Sequence, residues 1–233
     1  MNEKNTDPVA AFSAENSATI AGYPGNERLQ ETSREWRELA FRHNYMYHFT
    51  WLGRPIIQIP TDMVAIQEAI WRVRPDLIIE TGIAHGGSLI FSASLLALMD
   101  MEDALADGRS IDPRQTKRRV LGVDIDIRAH NRAAIEAHPM SNWIEMIQGS
   151  AVADDVLDQV RAVAKEHQRI LVVLDSNHTH EHVLKELELY GPLVTENSYC
   201  LVLDTAVEDL PDDMFPNRPW CQGDNPKTAE RAF

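Results

Sequence analysis

Polar side chains follow the apolar runs of the sequence, and three of them have the types needed for metal binding and proton transfer. Asp175 comes directly after the run 170–174, and Asp204 comes directly after the run 199–203. If these runs are neighbouring strands, the two carboxylates lie side by side, where they would bind a hard divalent cation such as Mg²⁺. His178 stands three residues after Asp175, and its imidazole is suited to remove the proton of a hydroxyl held on that metal. A helix cap is the simpler role for one of the two acids.

The histidines at positions 178, 180 and 182 raise the alternative of a zinc site. His178 and His182 are four residues apart, so on a helix they lie on one face. The sequence has no HExxH signature and no evident third ligand beside them, which argues against zinc. We therefore interpret His180 and His182 as a solvated helix face. A metal-dependent hydrolase or hydroxylase that uses Asp175, His178 and His182 stays open as an alternative.

A second polar segment follows the apolar run 77–79 and is rich in glycine. Gly82 and Gly86 let the chain turn sharply and let a ligand approach the main chain. The spacing is not that of a dinucleotide fingerprint, because Asp124, the next strand-end acid, follows Gly82 by 42 positions rather than by about 20. Glu80 stands at the mouth of this loop, where it would repel a pyrophosphate. It would attract a ligand with ammonium and sulfonium groups, such as S-adenosylmethionine.

The carboxylate of Asp124 has a matching role in this interpretation. An ionised carboxylate offers two acceptor oxygens in one plane, which suits the two hydroxyls of a ribose. Both acids also have simpler roles. Glu80 would then be an exposed carboxylate at a strand end, and Asp124 would cap a helix that begins near Ile127.

The elements that must position these residues alternate regularly along the chain. Five apolar runs predict strands, at 77–79, 120–123, 143–147, 170–174 and 199–203. Helical periodicity predicts helices between or before them, at 61–74, 87–99, 128–137, 153–167 and 180–190. Strands that are apolar throughout must be covered on both faces, because an exposed face would show alternation. The sequence therefore predicts a parallel α/β sandwich, in which ligands bind beyond the carboxyl ends of the strands.

Two parts of the sequence lie outside this regular pattern, the N-terminal 60 residues and the charged stretch 100–118. We predict a mobile arm over 1–26, then a helix over 27–43 within an N-terminal segment 27–60. The aromatic stretch 45–51 in that segment is interpreted as a lid, a subunit contact or a cover for the core. The α/β domain is predicted over 61–233, and its charged stretch 100–118 is interpreted as a surface loop with partial helix.

The composition excludes several classes of protein. The chain has 233 residues, of which 44% are apolar and 25% charged, ordinary values for a globular protein with one sizeable core. A formal net charge of −14 would repel nucleic acid over most of the surface. The two cysteines suit a reducing cytoplasm rather than a disulfide framework. With no visible signal peptide or membrane span, we predict a cytoplasmic protein whose partner is neither nucleic acid nor membrane.

Six segments in a fixed order carry a family resemblance: YHFTWLGRPIIQ, LIIETGIAHGGSL, GVDIDI, QGS, VLDSNHTHEHVLKEL and RPWCQGDNPKTA. From about Tyr47 to its end the sequence resembles the cephalosporin hydroxylase / rhamnosyl O-methyltransferase family, which belongs to the class I S-adenosylmethionine-dependent methyltransferases. The resemblance implies a Rossmann-like sandwich with a mainly parallel sheet and helices on both faces. That fold continues past its fifth strand with a helix and an antiparallel hairpin. Because the chain stops at Phe233, we expect the C-terminal hairpin to be missing or replaced by a neighbour.

The resemblance also implies roles for particular residues. The implied S-adenosylmethionine-binding residues are Glu80, Gly82, Ala84, Gly86, Ser88, Asp124, Ile125, Gly149, Ser150 and Asp175. Asp175 and Asp204 match the Mg²⁺ ligands of related O-methyltransferases, and Asp175 and His178 match their catalytic residues, with His178 as the base. Leu203 departs from the pattern, since an acidic pair is expected where Leu203-Asp204 stands.

Together these observations predict an S-adenosylmethionine-dependent, Mg²⁺-assisted O-methyltransferase that acts on a hydroxyl of a sugar or small natural product. Loop 206–224 and the aromatic stretch 45–51 are expected to close over this acceptor and to decide its identity. The missing acid at position 203 leaves a different class open, a non-catalytic cofactor-binding or assembly subunit of the same fold. The aromatic stretch and the N-terminal helix also predict a homo-oligomer.

Overall fold

The computed structural model describes residues 7–233, which form two compact units. The first unit ends at Asn44 and the second begins at Tyr45. The first unit contains the helices α1 (Pro8–Ala21) and α2 (Glu27–Arg42). The second unit contains a two-stranded hairpin, a five-stranded sheet and six further α-helices among the described residues.

Helix α1 lies within the segment 1–26 that the sequence predicts to be a mobile arm, of which the first six residues lie outside the described part of the chain. Local chemistry sets its start. Asp7 accepts a hydrogen bond from the amide of Val9 at 3.0 Å, and Pro8 occupies a position where no amide proton is needed. None of its residues is buried, so no apolar stripe was available to reveal the helix. The predicted arm thus contains a regular helix, and its mobility stays a prediction.

The five-stranded sheet of the second unit is parallel throughout. Its strands are β3 (Leu77–Thr81), β4 (Arg119–Asp124), β5 (Ile144–Gln148), β6 (Ile170–Leu174) and β7 (Cys200–Val202). Their spatial order is β5-β4-β3-β6-β7. The chain therefore builds outward on one side of β3 and then returns to build on the other. The strand order reverses between β3 and β6, which is where ligands bind in open sheets of this kind.

Helices cover both faces of this sheet. They are α3 (Pro60–Val73), α4 (Gly87–Ala106), α5 (Ala129–Glu136), α6 (Asp154–Ala164), α7 (His180–Tyr190) and α8 (Pro226–Ala232). Side chains of β3 alternate between two cores, since Ile78 packs with residues of α3 and α4, whereas Leu77 and Ile79 pack with residues of α6 and α7. The predicted α/β sandwich is confirmed. Within residues 7–233, no helix combines the length and apolar character needed to cross a membrane.

The aromatic stretch forms a hairpin that covers part of the core. Strands β1 (Phe49–Trp51) and β2 (Arg54–Ile56) pair in antiparallel fashion. The indole of Trp51 donates to Ser94 Oγ of α4 at 3.1 Å, and its ring meets Phe91 edge to face with centroids 4.9 Å apart. Through this packing the hairpin belongs to the second unit, which begins at Tyr45.

Helix α4 is longer than the sequence predicts. It continues from residue 99 to Ala106, into the charged stretch interpreted as a surface loop with partial helix. The side chain of Asp100 accepts a hydrogen bond from the Trp143 indole at 2.7 Å and pairs with Arg118 at 2.5 Å. Ala104 is buried. The stretch is thus partly helical, as predicted, and several of its charged side chains have partners within the fold.

Candidate functional site

The predicted site residues lie along one edge of the sheet, where the parallel strands end. Glu80 of β3 pairs in register with Gly122 of β4 on one side and with Val173 of β6 on the other. The amide of Asp175, just past β6, donates to the Thr81 carbonyl at 2.9 Å. The glycine loop after β3 therefore occupies the middle of the edge, with residues from β4 and β5 on one side and residues from β6 and β7 on the other.

The glycine loop has the backbone conformations expected of a tight turn. Gly82, Ala84 and Gly86 all have positive φ, at 90°, 45° and 82°. A Cβ on Gly82 would lie 2.1 Å from the carbonyl oxygen of Asp175, and a Cβ on Gly86 would lie 2.4 Å from Ile135. Packing against the backbone of Asp175 thus requires a glycine at position 82, and the positive φ favours glycine at both positions, in addition to any approach of a ligand.

Glu80 is buried rather than exposed. Its side chain is 2% exposed, and it accepts a hydrogen bond from Ser88 Oγ. Burial raises the pKa of Glu80 to about 7, against a smaller opposing effect of the Ser88 hydrogen bond. The simple alternative of an exposed strand-end carboxylate is therefore wrong. A positive ligand group near this carboxyl would favour its charged form.

Asp124 organises the glycine loop through hydrogen bonds. Its Oδ2 accepts from the amides of Ile83 at 2.7 Å and Ala84 at 3.3 Å, and its Oδ1 accepts from the amide of Asp126 at 3.0 Å. A carboxylate has about four lone-pair positions, so acceptor capacity is left for a ribose hydroxyl. The alternative that Asp124 caps the next helix does not hold, since α5 begins at Ala129 with Arg128 as its N-cap.

The remaining predicted cofactor residues lie on the same side of the glycine loop as Asp124. Ile125 follows it and is 72% exposed. The amide of Gly149, past β5, donates to the Asp124 carbonyl at 2.9 Å, which brings Ser150 to this end as well. A Cβ on Gly149 would lie 2.4 Å from Val156. This glycine too has a packing role.

Asp175, His178 and Asp204 converge on the other side of the loop. One ligand atom from each lies within 4.8 Å of the other two. His178 Nε2 is 3.1 Å from Asp204 Oδ2, and the His178 ring meets Trp220 edge to face with centroids 4.6 Å apart. Burial, followed by the charges of Asp204 and Glu80, raises the pKa of Asp175 well above its usual value.

This group of side chains fits a hard divalent cation. Asp175 and Asp204 offer carboxylate oxygens, the ligands that Mg²⁺ prefers, and water commonly completes its coordination. The raised pKa of Asp175 reflects burial first and then repulsion by the neighbouring acids Asp204 and Glu80. A cation between the two carboxylates would relieve that repulsion. Leu203 lies beside them in a narrow pocket with Met63 and Phe91 and offers no ligand atom.

The other two histidines have partners within the protein, so their interpretation as a solvated helix face is wrong. His180 Nδ1 lies 2.9 Å from Thr228 Oγ1, and the His180 amide donates to Asp224 at the start of α7. His182 Nε2 lies 3.2 Å from Ser176 Oγ. Among residues 7–233, the one group with the geometry of a metal site contains His178 but not His182. The hydrolase or hydroxylase alternative loses its third ligand.

Three further residues were missed by the analysis of the sequence. Arg54 of β2 donates to the His85 carbonyl, at 3.0 Å from Nε and 2.5 Å from a terminal nitrogen. Asn131 of α5, which is buried, accepts from Arg54 at 3.1 Å and donates to the Ala84 carbonyl at 2.9 Å. The two side chains thus hold the carbonyls of the glycine loop.

Gln58 is the third missed residue, and it touches the candidate metal site. Its amide nitrogen donates to Asp175 Oδ2 at 3.1 Å. Arg54 and Gln58 both lie in the segment RPIIQ, which was noted for the resemblance and placed in the N-terminal lid or interface segment 27–60. Their polar side chains between apolar neighbours were the available signal, but the partner loops lie about 30 or more residues away along the chain.

Comparison with known proteins gives a family match over most of the chain. The model of the family described as Rhamnosyl O-methyltransferase/CmcI matches residues 43–233. The rhamnosyl O-methyltransferase of Mycobacterium leprae (strain TN) is 27% identical over 191 residues, which is 81% of this chain and 73% of the relative. The rhamnosyl O-methyltransferase of Mycobacterium tuberculosis (strain ATCC 25618 / H37Rv) is 26% identical over 164 residues, 70% of this chain but only 59% of the relative. The resemblance predicted from the sequence is confirmed.

Comparison with solved structures gives matches at lower identity. A CmcI-N160 apo-structure matches with a TM-score of 0.50 and 22% identity, over 67% of this chain and 57% of that chain. A structure titled cmcI-D160 Mg-SAM has a TM-score of 0.48 and 21% identity, over 68% of this chain and 58% of that chain. At this identity the first of these supports the fold alone.

Proposed function

The chain belongs to the Rhamnosyl O-methyltransferase/CmcI family, and on this premise we propose that it is an S-adenosylmethionine-dependent O-methyltransferase assisted by Mg²⁺. Its acceptor is a hydroxyl of a sugar or a small natural product. The observation that carries the proposal is the convergence of Asp175, His178 and Asp204 beside the glycine loop. The matched relatives include rhamnosyl O-methyltransferases, which supports a sugar hydroxyl.

The donor side of the site consists of the glycine loop and the ends of β4 and β5. Glu80 attracts the positive groups of the methyl donor, and its own charged form is favoured when they bind. Ser88, which donates to Glu80 without ligand, is close enough to contact the same end of the donor. Asp124 accepts from the ribose hydroxyls, and Ile125 offers an exposed apolar surface to the adenine. The residues Gly82, Ala84, Gly86, Gly149 and Ser150 complete this side through the main chain.

The acceptor side is formed by the ends of β6 and β7. Asp175 and Asp204 would hold Mg²⁺, which when bound lowers the pKa of a hydroxyl and orients it. His178 removes the proton. His178 Nε2 lies 3.1 Å from Asp204 Oδ2, and a proton on Nε2 would leave the lone pair of Nδ1 to accept the proton of the hydroxyl. The oxygen then attacks the methyl group in line with the departing sulfur, without a covalent enzyme intermediate.

A non-catalytic binding subunit is the second candidate function. The observation that favours it is Leu203, which lies in the pocket beside Asp175 without a ligand atom. Such a subunit would bind the cofactor but transfer no methyl group. Methyl transfer to any member of a panel of sugars and natural products would exclude it.

A titration tests the proposal directly. We expect S-adenosylhomocysteine to bind by calorimetry, and Mg²⁺ to bind to the wild-type protein but not to Asp175→Asn or Asp204→Asn. Glu188→Gln, at an exposed position of α7, is the matched control and should bind Mg²⁺ like the wild type. Absence of heat with S-adenosylhomocysteine, with and without Mg²⁺, would contradict the proposed function.

A further inference from the structure

One buried acid of the second unit has no part in the chemistry described above. The side chain of Glu186, on α7, has no exposed surface. Its Oε1 accepts a hydrogen bond from Ser176 Oγ at 2.8 Å. Its Oε2 is buried and has no hydrogen-bond partner within the part of the chain that the structure describes. A buried carboxylate is costly unless hydrogen bonds compensate for lost hydration, so an acid at this position needs a reason.

Ser176 links Glu186 to the acceptor side of the site. It directly follows Asp175 and stands two residues before His178. Its Oγ also lies 3.2 Å from His182 Nε2, and that nitrogen is 3.6 Å from Glu186 Oε1. The three side chains of Ser176, His182 and Glu186 form one polar cluster between α7 and the loop after β6.

This cluster is not a nucleophilic triad. In a triad the imidazole uses one ring nitrogen for the serine and the other for the acid. Here both Ser176 and Glu186 approach the same nitrogen of His182, and Ser176 donates directly to Glu186. The arrangement suits holding a loop rather than activating a hydroxyl.

The other side of the same loop is packed against the glycine loop. A Cβ on Gly82 would lie 2.1 Å from the Asp175 carbonyl oxygen and 3.0 Å from Ser176 Cα. The Asp175 amide donates to the Thr81 carbonyl at 2.9 Å. The loop is therefore held from two sides, by backbone packing on one and by the polar cluster on the other.

We propose that Glu186 is a positioning residue, which through Ser176 holds Asp175 and His178 in the geometry that the metal and the acceptor require. The inference rests on the proposed function, because that function supplies the metal and the acceptor for which the geometry is needed. The property that this role requires of residue 186 is a hydrogen-bond acceptor for Ser176 Oγ. Outer partners of metal ligands commonly change metal affinity by about 10- to 100-fold when they are removed.

Five variants separate this role from general stabilisation. Ser176→Ala removes the donor, Glu186→Leu removes the acceptor at similar volume, and the double variant removes both. Glu186→Gln keeps an acceptor oxygen without the charge. Glu188→Gln changes an exposed acid on the same helix, which pairs with Lys185 at 3.3 Å, and is the control.

Two measurements are made on each full-length variant. Amide hydrogen exchange of residues 175–179 reports the loop without any ligand, and calorimetry gives the affinity for Mg²⁺ alone. We expect exchange to be about tenfold faster and Mg²⁺ binding about 10- to 100-fold weaker in S176A and E186L. The double variant should show the same exchange rates and the same Mg²⁺ affinity as E186L, because the two side chains act through one hydrogen bond. E186Q and E188Q should stay within about twofold of the wild type in both measurements.

The outcomes distinguish the inference from the proposed function. Wild-type exchange rates in S176A and in E186L overturn the inference, whatever the metal affinity. The inference is also overturned if exchange rises and Mg²⁺ affinity falls as much in E186Q as in E186L. A hydrogen-bond acceptor at position 186 would then not be enough to hold the loop. If E186L does not fold, S176A and E186Q decide by the same criteria. If the wild type binds no Mg²⁺, the metal part of the proposed function fails, while hydrogen exchange still decides whether Glu186 positions the loop.

Discussion

Glu80 shows how burial of a single residue changes its pKa, which the sequence alone does not indicate. It is 2% exposed, and burial raises its pKa to about 7. A carboxyl group whose pKa is raised on folding stabilises the folded state at low pH, and this contribution is lost as the pH rises through the folded pKa. For Glu80 the loss falls between about pH 4.5 and about pH 7.

The variant Glu80→Gln should therefore change the pH dependence of stability. Without ligands, the free energy of unfolding of the wild type should fall relative to that of E80Q between pH 4.5 and pH 7.5, by up to about 3 kcal/mol. Urea unfolding of both proteins at the two pH values measures the difference. If the free energies of unfolding of the wild type and E80Q changed equally with pH, Glu80 would not be a buried acid with a raised pKa.

Gly82 is needed for two reasons, its positive φ and the lack of space for a Cβ. Comparison with Gly53 distinguishes the two effects. The φ of Gly82 is 90°, and its Cβ would meet the Asp175 carbonyl oxygen. Gly53 has φ of 87° but no atom within 4 Å of an added Cβ. Gly53→Ala should lose about 1–2 kcal/mol from backbone strain. Gly82→Ala should lose a further 1–3 kcal/mol or so from overpacking, measured by urea unfolding. Equal losses would contradict the close packing of the two loops.

Leu203 offers a gain-of-function prediction at the same scale. Leu203→Glu adds a third carboxylate beside Asp175 and Asp204, and the charge count of a site tunes its affinity for divalent cations. We expect calorimetry to give an affinity for Mg²⁺ about tenfold higher than in the wild type. Leu203→Gln, of equal size but without charge, should show no such gain. Equal affinities in L203E and L203Q would mean that position 203 does not face the metal site.

The elements show which parts of the site could be predicted from the sequence. Asp124, Asp175 and Asp204 were predictable because each follows a strand that is apolar throughout, and parallel strands end at one edge. A partial helix was predicted within 100–118, but its extent to Ala106 was not, because the partners of its charged residues, such as Arg118 for Asp100, are distant in sequence. Local periodicity reports burial along one element, but not which polar groups meet across elements.

The hairpin was interpreted as a lid, a subunit contact or a cover for the core, and it covers part of the core. It also places Arg54 against the His85 carbonyl and against Asn131, a role that the sequence did not indicate. Arg54→Ala should leave the loop carbonyls without these donors and weaken the binding of S-adenosylhomocysteine by about tenfold. Calorimetry measures the affinity. Arg72→Ala, on α3, is the control, and a comparable affinity in both variants would contradict a role of the hairpin in holding the loop.

Under the proposed function, the second unit contains two half-sites that meet at β3. The donor half would use the ends of β4 and β5, and the acceptor half would use the ends of β6 and β7, so that the strand order separates the two ligands. Trp220 joins the loop before α8 to His178, and this loop stays the predicted cover of the acceptor. Self-association and a cytoplasmic location also stay predictions.

A crystal structure of the full chain with S-adenosylhomocysteine and Mn²⁺, which replaces Mg²⁺ and has an anomalous signal, tests the central claim most directly. We predict an anomalous peak about 2.0–2.2 Å from carboxylate oxygens of Asp175 and Asp204. We also predict the cofactor over the glycine loop, with its ribose at Asp124. A cofactor bound elsewhere, or a metal that contacts neither Asp175 nor Asp204, would contradict the account.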